Sequence, residues 1–160
     1  MTQQGSLITD EMRKAIGVES APTVVDIEKD TIRRVADAID DQNPLWRDEE
    51  YAKKTRYGGI VAFPIILHPG SRANRPPVQY ESTVRGGGLA GDEWEFFEPV
   101  RPGDKLTITT HIAEFLEREG ARGKVLLTVT QTTYKNQHGR VVMIEKRTNL
   151  GYPPAPARGS

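Results

Sequence analysis

The apolar and polar positions divide the chain into a helical first part and a strand-rich second part. From Lys29 to Ala38, apolar residues recur at i, i+3, i+4 and i+7, the spacing of one helix face (Ile32, Val35, Ala36 and Ile39). A shorter helical pattern lies around Thr9–Ile16, and Val24–Ile27 favours a short strand. We expect Asn43-Pro44 to stop the longer helix, because proline disfavours the α conformation in the residue before it.

A second short helix is predicted from Glu49 to Thr55. Asp48 precedes it, and an aspartate carboxylate at that position can accept hydrogen bonds from the free N–H groups of the first turn. We expect Tyr51 and Ala52 to face inward.

The run from Ile60 to Leu67 is apolar on nearly every side, which is typical of an element buried all round. Its length fits either a strand or a central helix, and the pattern does not separate the two. Pro64 would be tolerated in the first turn of such a helix, where a missing N–H costs little.

Beyond Pro77, β-branched and aromatic residues dominate, and two stretches keep a period of two (Leu106-Ile108-Thr110-Ile112 and Leu127-Val129-Gln131-Thr133). Turn-like segments separate the strands, and two of them resemble hairpin loops (101–104, 119–123 and 136–139). Helices followed by antiparallel strands indicate an α+β domain, in which the sheet covers its apolar face with the buried helix.

The segment from Arg72 to Gly91 is predicted to be a long loop, with three consecutive glycines at 86–88. Loops of that length are usually functional or mobile. The glycines do not form a phosphate loop, because no Gly-Lys-Ser/Thr follows them. The aromatic residues just beyond are interpreted as core or dimer-interface residues (Trp94, Phe96 and Phe97).

Composition narrows the class of protein. The chain has 160 residues, 36% hydrophobic and 28% charged, with a formal net charge of zero, which argues against nucleic acid or an anionic membrane as the partner. It has no cysteine, so thiolate chemistry and disulfides are excluded. No signal peptide and no apolar run of the ~18 residues that a membrane span needs are visible, so we expect a soluble cytoplasmic protein.

Several motifs occur together in one order: Asp41-x-Asn43-Pro44 after a helix, Tyr51-Ala52, the segment GGIVAFPIIL, and WEFFEPVRPGDKL. This arrangement resembles the MaoC-like (R)-specific enoyl-CoA hydratase/dehydratase family, especially its FAS1-like dehydratase half. The resemblance implies a hot-dog fold, an antiparallel sheet wrapped around one central helix. It places the domain at residues 20–152, between an N-terminal extension (1–19) and a flexible tail (153–160).

In active members of the family the motif is D-x-N-P-x-H. Its Asp and His hold a water and add it across the double bond of a trans-2-enoyl thioester, or run the reverse reaction. Both are needed, because one group takes a proton from water while another delivers one to the α carbon. A backbone N–H at the start of the central helix polarises the thioester carbonyl.

Carried over onto this sequence, Asp41, Asn43 and Pro44 match the motif, but Trp46 stands at the position of the His. Tryptophan has no group that titrates near neutral pH and can only donate. By ungapped counting, the family's His-Gly at the helix start falls on Phe63-Pro64, and proline has no N–H. Each lost group can cost ~10²-fold or more in rate.

The candidate catalytic residues are therefore Asp41 and, as a substitute for the missing His, His68. Asp41 also has a structural interpretation, in which it closes the turn before Asn43-Pro44 through local hydrogen bonds. The expected substrate-binding residues follow from the resemblance (Asn43, Tyr57, Gly59, Phe63, Pro64 and Arg72). Arg72, Arg75 and Arg85 are placed to meet the phosphates of coenzyme A, although a solvated surface explains them as well.

We expect no cofactor and no metal site, because His68, His111 and His138 lack metal-ligand spacing. Three functions remain open. The first is an acyl-thioester-binding subunit that pairs with a catalytic MaoC-like partner, the second a self-sufficient hydratase, and the third a non-catalytic acyl-CoA binding module. A homodimer or a heterodimer fits the resemblance. The acyl chain, the carrier (CoA or acyl carrier protein) and the partner's identity stay open.

Overall fold

The elements follow the predicted order of helices and then strands. The computed structural model describes residues 5–63, 80–120 and 123–154. The helices are α1, α2, a 3₁₀ turn and α3 (Asp10–Ala15, Lys29–Ala38, Pro44–Trp46 and Glu49–Lys53). The strands are β1 to β5 (Thr23–Asp26, Arg85–Phe96, Lys105–Gly120, Gly123–Lys135 and Val141–Tyr152).

The five strands form one sheet in the order β1-β3-β4-β5-β2, and each neighbouring pair is antiparallel. Two hairpins build its centre. Gly120 pairs with Gly123 at the end of β3–β4. The β4–β5 connection is closed by the Asn136 N–H, which donates to the Arg140 carbonyl at 2.9 Å. Two of the three predicted turn-like segments, 119–123 and 136–139, thus lie between paired antiparallel strands.

The buried side of the sheet alternates along β3, where the four residues predicted to share a face are at most 3% exposed (Leu106, Ile108, Thr110 and Ile112). In β4 the pattern of apolar residues predicted that the segment is a strand, but it did not predict which face of the strand is buried. Tyr134 and Thr132 are buried because they lie opposite Ile108 and Thr110. Leu127 and Gln131, on the other side, are only half-buried.

The first helices bury most of what their patterns predict, but Ile39, on the predicted face of α2, is 45% exposed because the helix ends one residue before it. In α2, Ile32 and Ala36 are fully buried. Asp48 caps α3, because its Oδ1 accepts from the N–H groups of Glu50 and Tyr51 at 2.9 and 3.0 Å. Ala52 is buried as expected, but the prediction for Tyr51 is wrong, since it is 47% exposed. A five-residue helix buries one narrow stripe, and Ala52 occupies it.

Residues 85–91, predicted to belong to a long loop, lie instead in strand β2, paired with β5. Gly87 explains part of this pairing. It has φ +140°, and a Cβ there would lie 1.8 Å from the Leu150 carbonyl oxygen. Gly87 therefore lets the strand approach β5 closely. Phe96 and Phe97, interpreted as core or dimer-interface residues, are about half exposed, so they are not core residues of this chain.

The run that starts at Ile60 enters the core, with Ile60 and Val61 buried. Residues 60–63 are neither helix nor strand, and the Ala62 N–H donates to the Val100 carbonyl at 2.7 Å. The predicted central helix beyond Phe63, including Pro64, lies outside the described residues.

Candidate functional site

The site is built on the turn that ends α2. Asp40 takes the left-handed conformation with φ 52°, and the next N–H, that of Asp41, donates to the Ala36 carbonyl at 2.8 Å. Asn43 then opens the 3₁₀ turn, because its side-chain oxygen accepts from the Leu45 N–H at 3.0 Å. The sequence Asp-x-Asn-Pro thus fixes the backbone through side-chain oxygens, as such residues do in turns.

The Asp41 carboxylate accepts one hydrogen bond on each oxygen. The Asn43 N–H donates to Oδ1 at 2.9 Å, and the Trp46 indole Nε1–H donates to Oδ2 at 2.9 Å. The Asn43 N–H and then the Trp46 indole hold the pKa of Asp41 below its ordinary value, and the charge of Arg47 adds to this effect. Asp41 is therefore a fixed carboxylate anion.

Arg47 closes the turn from its other side. Its Nε donates to the Asp41 carbonyl at 3.0 Å, and its Nη1 lies 2.6 Å from an oxygen of Asp37. The guanidinium ties the end of α2 to the residue after the 3₁₀ turn. This residue was not among the predicted site residues, because the motif that guided the prediction ends at position 46.

Trp46 lies between the turn and the core. Its ring meets the ring of Phe63 edge-on, with centroids 5.4 Å apart and an angle of 85° between the planes. The indole packs on the core cluster that includes Ile32, Ala52 and Ile60. Its body is thus held by apolar contacts while its N–H points to Asp41, the arrangement that buried tryptophans favour.

A cavity of about 380 Å³ lies beside Trp46. Its apolar wall comes from both halves of the chain (Trp46, Val61, Ala62, Phe96, Phe97 and Val100). Arg56, Tyr57 and Glu98 add polar atoms. The Tyr57 hydroxyl accepts from Arg56 Nη2 at 2.8 Å and raises the pKa of that guanidinium, so Arg56 stays a cation. The volume is within the range of small-molecule sites.

The predicted substrate-binding residues occupy different places. Tyr57 lines this cavity, and Phe63 supports it through the contact with Trp46. Asn43 caps the 3₁₀ turn and is not among the described lining residues. Gly59 lines a separate cavity of about 250 Å³ with Lys29, Lys53 and Arg101.

Pro64, His68, Arg72 and Arg75 lie outside the described residues. His111 lies in β3 and His138 in the β4–β5 hairpin. Neither histidine is among the described residues that line the cavity beside Trp46.

Sequence reasoning missed the part of the wall that comes from Phe96, Phe97 and Val100. These residues lie some fifty positions from Trp46 in the sequence, and the sheet brings them to it. The feature of the sequence that could have indicated this wall is the pair Phe96-Phe97, which lies at the end of a strand and precedes Glu98-Pro99.

Residues 5–63, 80–120 and 123–154 hold neither a metal-binding cluster nor a membrane-spanning helix. No cluster of three histidine or acidic side chains with metal-binding geometry occurs in these ranges. No helix within them is long and apolar enough to cross a membrane.

Comparison with known proteins identifies the family. The family model described as "FAS1-like, dehydratase domain region" matches residues 14–145, which is most of the chain. The chain therefore belongs to this family of dehydratase domains, within the MaoC-like hydratases and dehydratases.

Two curated relatives illustrate the range of the family. A UPF0336 protein of Thermobifida fusca is 30% identical over 120 residues, which cover 70% of this chain and 76% of that protein. A probable enoyl-CoA hydratase alpha subunit of Thermomonospora curvata is 25% identical over 140 residues, 77% of this chain. The matched part is 44% of that protein, so this chain spans less than half of its length.

Solved structures share the architecture. A MaoC-like dehydratase from Rhodospirillum rubrum has a TM-score of 0.65 at 25% identity, covering 89% of this chain and 95% of that one. A chain of the ChsH1-ChsH2 complex from Mycobacterium tuberculosis has a TM-score of 0.77 at 17% identity, covering 96% and 95%. That identity shows the fold alone. The predicted α+β hot-dog fold is confirmed.

Proposed function

We propose that this chain is an acyl-thioester-binding subunit without a complete catalytic dyad. It pairs with a MaoC-like partner that supplies both Asp and His, and together they hydrate trans-2-enoyl thioesters or dehydrate (R)-3-hydroxyacyl thioesters. The observation that carries the proposal is the hydrogen bond from Trp46 Nε1 to Asp41 Oδ2, 2.9 Å long. An indole N–H at the position of the family's His can donate a hydrogen bond but cannot accept a proton.

The state of Asp41 supports the same proposal. A general base works best when its pKa is near the working pH, and the hydrogen bonds from Asn43 and Trp46 move the pKa of Asp41 away from that range. Both of its oxygens already accept hydrogen bonds within the turn. Asp41 is thus suited to holding the turn rather than to activating water.

The cavity beside Trp46 supports the binding role. Its wall is mostly apolar, which suits an acyl chain, and Arg56 offers a cation to an anionic group of the carrier. The names of similar proteins support the same role. One relative is called an alpha subunit, and one structural neighbour is a complex of two named chains.

The first experiment is hydration of crotonyl-CoA and a longer enoyl-CoA by the purified chain, followed by the loss of enoyl-thioester absorbance. We expect no turnover from the folded chain alone. Rates of ~1–10³ s⁻¹, the usual range of enzymes, would contradict the proposal. If Asp41→Asn then abolished that activity, a self-sufficient hydratase that uses Asp41 would replace it.

The second experiment adds a MaoC-like protein that carries an intact D-x-N-P-x-H motif. We expect the mixture to turn over enoyl-CoA. Replacing the partner's motif Asp by Asn should abolish the activity, whereas Asp41→Asn in this chain should leave it nearly unchanged as long as the complex forms. Acyl-CoA that raises the melting temperature of this chain, with no turnover in any mixture, would favour the binding module.

A further inference from the structure

Arg47 carries a buried hydrogen-bond donor that the turn after α2 does not use. Its Nε donates to the Asp41 carbonyl, and its Nη1 pairs with Asp37. Its Nη2 is buried and has no hydrogen-bond partner among the described residues. Buried donors nearly always have a partner in the protein, a water or a bound ion, and an unmet donor on a charged group is costly. Arg47 Nη2 therefore needs a partner from outside the described residues.

A cavity of about 420 Å³ lies beside this guanidinium. Its described lining is mostly charged (Lys29, Asp30, Arg33, Trp46 and Arg47). Three cations against one carboxylate give the lining an excess of positive charge, although the chain as a whole has a formal net charge of zero. The positive excess is thus local, and a cavity lined by one sign of charge attracts ligands of the other sign.

The two cations that face Arg47 across the cavity come from α2. Lys29 and Arg33 are four residues apart on this helix and so lie on the same side of it. Lys29 pairs with Glu49, and Arg33 Nη2 donates to Asp30 Oδ1 at 2.7 Å. Both side chains are more than half exposed, and ion pairs between exposed groups contribute little to stability. Each cation can therefore turn toward a ligand without a loss of core packing.

The carboxylate in the lining is shared between two arginines. Asp30 Oδ1 accepts from Arg33, and Asp30 Oδ2 lies 3.4 Å from Arg34 Nε. Arg34 is not among the described residues that line the cavity. The negative charge of Asp30 is thus largely compensated from the helix itself, which leaves the charges of Lys29 and Arg47 available to an anion.

We propose that this cavity binds the phosphate group of a small phosphate monoester. Such a group carries about −1.5 to −2 charges at pH 7 and has three oxygens that accept hydrogen bonds. Guanidinium groups bind phosphate through parallel N–H donors, and a lysine adds a point charge. A phosphate oxygen would give Arg47 Nη2 its missing acceptor. The cavity volume is within the range of small-molecule sites, which leaves room for the organic part of the ester.

The Arg47 guanidinium is held in place before any ligand arrives. The Asp41 carbonyl fixes its Nε at 3.0 Å, and Asp37 lies 2.6 Å from its Nη1. A donor that is already ordered loses little freedom on binding, so it supports a higher affinity. The site is independent of the apolar cavity on the other side of Trp46, because Trp46 is the one described residue that lines both.

The first test is a calorimetric titration of the full chain with inorganic phosphate, with chloride at matched ionic strength as the reference. We expect one phosphate to bind per chain with saturation. In NMR spectra, the Arg47 Nε–H and the Trp46 indole N–H signals should shift with the same dissociation constant. The indole signal of Trp94 should not shift, since Trp94 is not among the described lining residues. Titration without saturable binding would mean that water alone meets Arg47 Nη2, and it would overturn the proposal.

Two neighbouring arginines provide a matched pair of variants. Arg33 and Arg34 both lie on α2, pair with Asp30 and are 63% and 69% exposed, but Arg34 is absent from the described lining. Arg33→Gln should weaken phosphate binding by about three- to tenfold. Arg34→Gln makes the same change of charge outside the cavity, and salt screens it, so the loss should be less than about twofold. Equal losses in the two variants would contradict a site in this cavity.

A variant of opposite sign keeps the test independent of folding defects. Asp30→Asn removes the carboxylate from the described lining and should strengthen phosphate binding at least about twofold. The hydrogen bonds of Arg47 are untouched in this variant, so its melting temperature without phosphate should stay near that of wild type. Weaker binding by a folded Asp30→Asn chain would overturn the proposal.

Competition distinguishes two sources of the phosphate group. Coenzyme A carries a monoester phosphate on its ribose, and dephospho-CoA lacks it. Displacement of inorganic phosphate by CoA but not by dephospho-CoA would support the site with a CoA thioester as the source. Displacement by neither would support it with a separate phosphate ester, whereas displacement by both would overturn recognition of a monoester. The titrations use no enoyl thioester and no partner, so their failure leaves the proposed function standing.

Discussion

Trp46 supplies a hydrogen bond to Asp41 but no group that takes up a proton near neutral pH. An imidazole and an indole can both donate a hydrogen bond to a neighbouring carboxylate, but only the imidazole can also take up a proton. In this chain the Trp46 Nε1–H donates a hydrogen bond to Asp41 Oδ2 at 2.9 Å. The carboxylate of Asp41 therefore serves as a hydrogen-bond acceptor within the turn.

The Asp41 hydrogen bonds predict a pH effect on stability. The folded-state pKa of Asp41 is lowered, first by the Asn43 N–H and then by the Trp46 indole. Its contribution to stability is thus complete above the unfolded pKa of about 3.9 and is lost as pH falls through the folded pKa. We expect Asp41→Asn to be less stable than wild type at pH 7 and to approach wild type near pH 2, by urea unfolding.

The substitution Trp46→Phe tests whether the indole hydrogen bond helps to lower the pKa of Asp41. It removes the indole donor and keeps the ring, so the pKa of Asp41 should rise in NMR titration of its carboxyl carbon while staying below the ordinary value, since the Asn43 bond remains. Asp40→Asn is the matched control, because Asn adopts the left-handed conformation of position 40 readily. Stability differences between wild type and Asp41→Asn that do not change with pH would contradict this account.

At the scale of elements, the sequence predicted the features that depend on residues close to each other along the chain. The α2 helix follows from the spacing of its apolar residues. The start of α3 follows from the hydrogen bonds that the Asp48 side chain accepts. The cavity wall from Phe96 and Phe97 could not be predicted in this way, because strand register brings it to Trp46. The glycines at 86–88 suggested a loop, since glycine is rare in strands, but the close approach of Gly87 to Leu150 makes glycine necessary there.

A chain of polar contacts ties β2 to the buried side of β4 and β5. Arg147 holds Asp92 of β2 with two hydrogen bonds of 2.9 and 3.0 Å. It also lies 3.0 Å from Glu145, which is 1% exposed and accepts from the Tyr134 hydroxyl at 3.1 Å. The carboxylate of Asp92 and the charge of Glu145 both contribute to raising the pKa of Arg147. The edge strand is thus anchored to the core through Arg147.

Arg147→Met should destabilise the fold by about 2–3 kcal/mol. Breaking a buried ion pair typically costs about 3–5 kcal/mol. We expect less because Arg147 is 21% exposed. Lys146→Met is the matched control, since it is the next residue on the opposite face, and it should change stability by about 0.5 kcal/mol or less. Urea denaturation compares the two variants. Equal effects would mean that the Glu145–Arg147–Asp92 contacts contribute little.

At the scale of the whole molecule, the described residues form two hydrophobic clusters on the sheet. One contains Ile27, Ile32, Ala52 and Tyr134 and lies next to Trp46. The other joins the N-terminal segment to the sheet, with Leu7, Met12 and Ala15 packed on Ile112, Phe115 and Leu126. The order of helices and strands in the sequence was sufficient to predict the α+β class. It did not predict the second cluster, because six helical residues carry too short a pattern to show what they cover.

The predicted start of the domain at residue 20 can therefore be tested by measuring the unfolding free energy of a chain that lacks residues 1–19. The segment before it is tied down by more than apolar contact. Glu117 accepts from Ser6 and Leu7, and the Gly17 N–H donates to the Ile112 carbonyl at 2.9 Å. If residues 1–19 were a dispensable extension, their removal would leave the unfolding free energy unchanged. The packing predicts instead a loss of several kcal/mol, roughly 1.5–3 for each of Leu7 and Met12, reduced by the entropy regained by the segment.

Met12→Ala locates that loss in one side chain. Met12 is fully buried, so truncation should cost about 2–5 kcal/mol by the transfer and cavity effects of core substitutions. Val18→Ala lies in the same segment at 42% exposure and should cost about 0.5 kcal/mol or less. Chemical denaturation of both variants beside the truncated chain distinguishes the possibilities. A truncated chain as stable as wild type, with Met12→Ala also neutral, would show that the domain begins at residue 20. A large loss of stability in both the truncated chain and Met12→Ala would show that the N-terminal helix belongs to the folded domain.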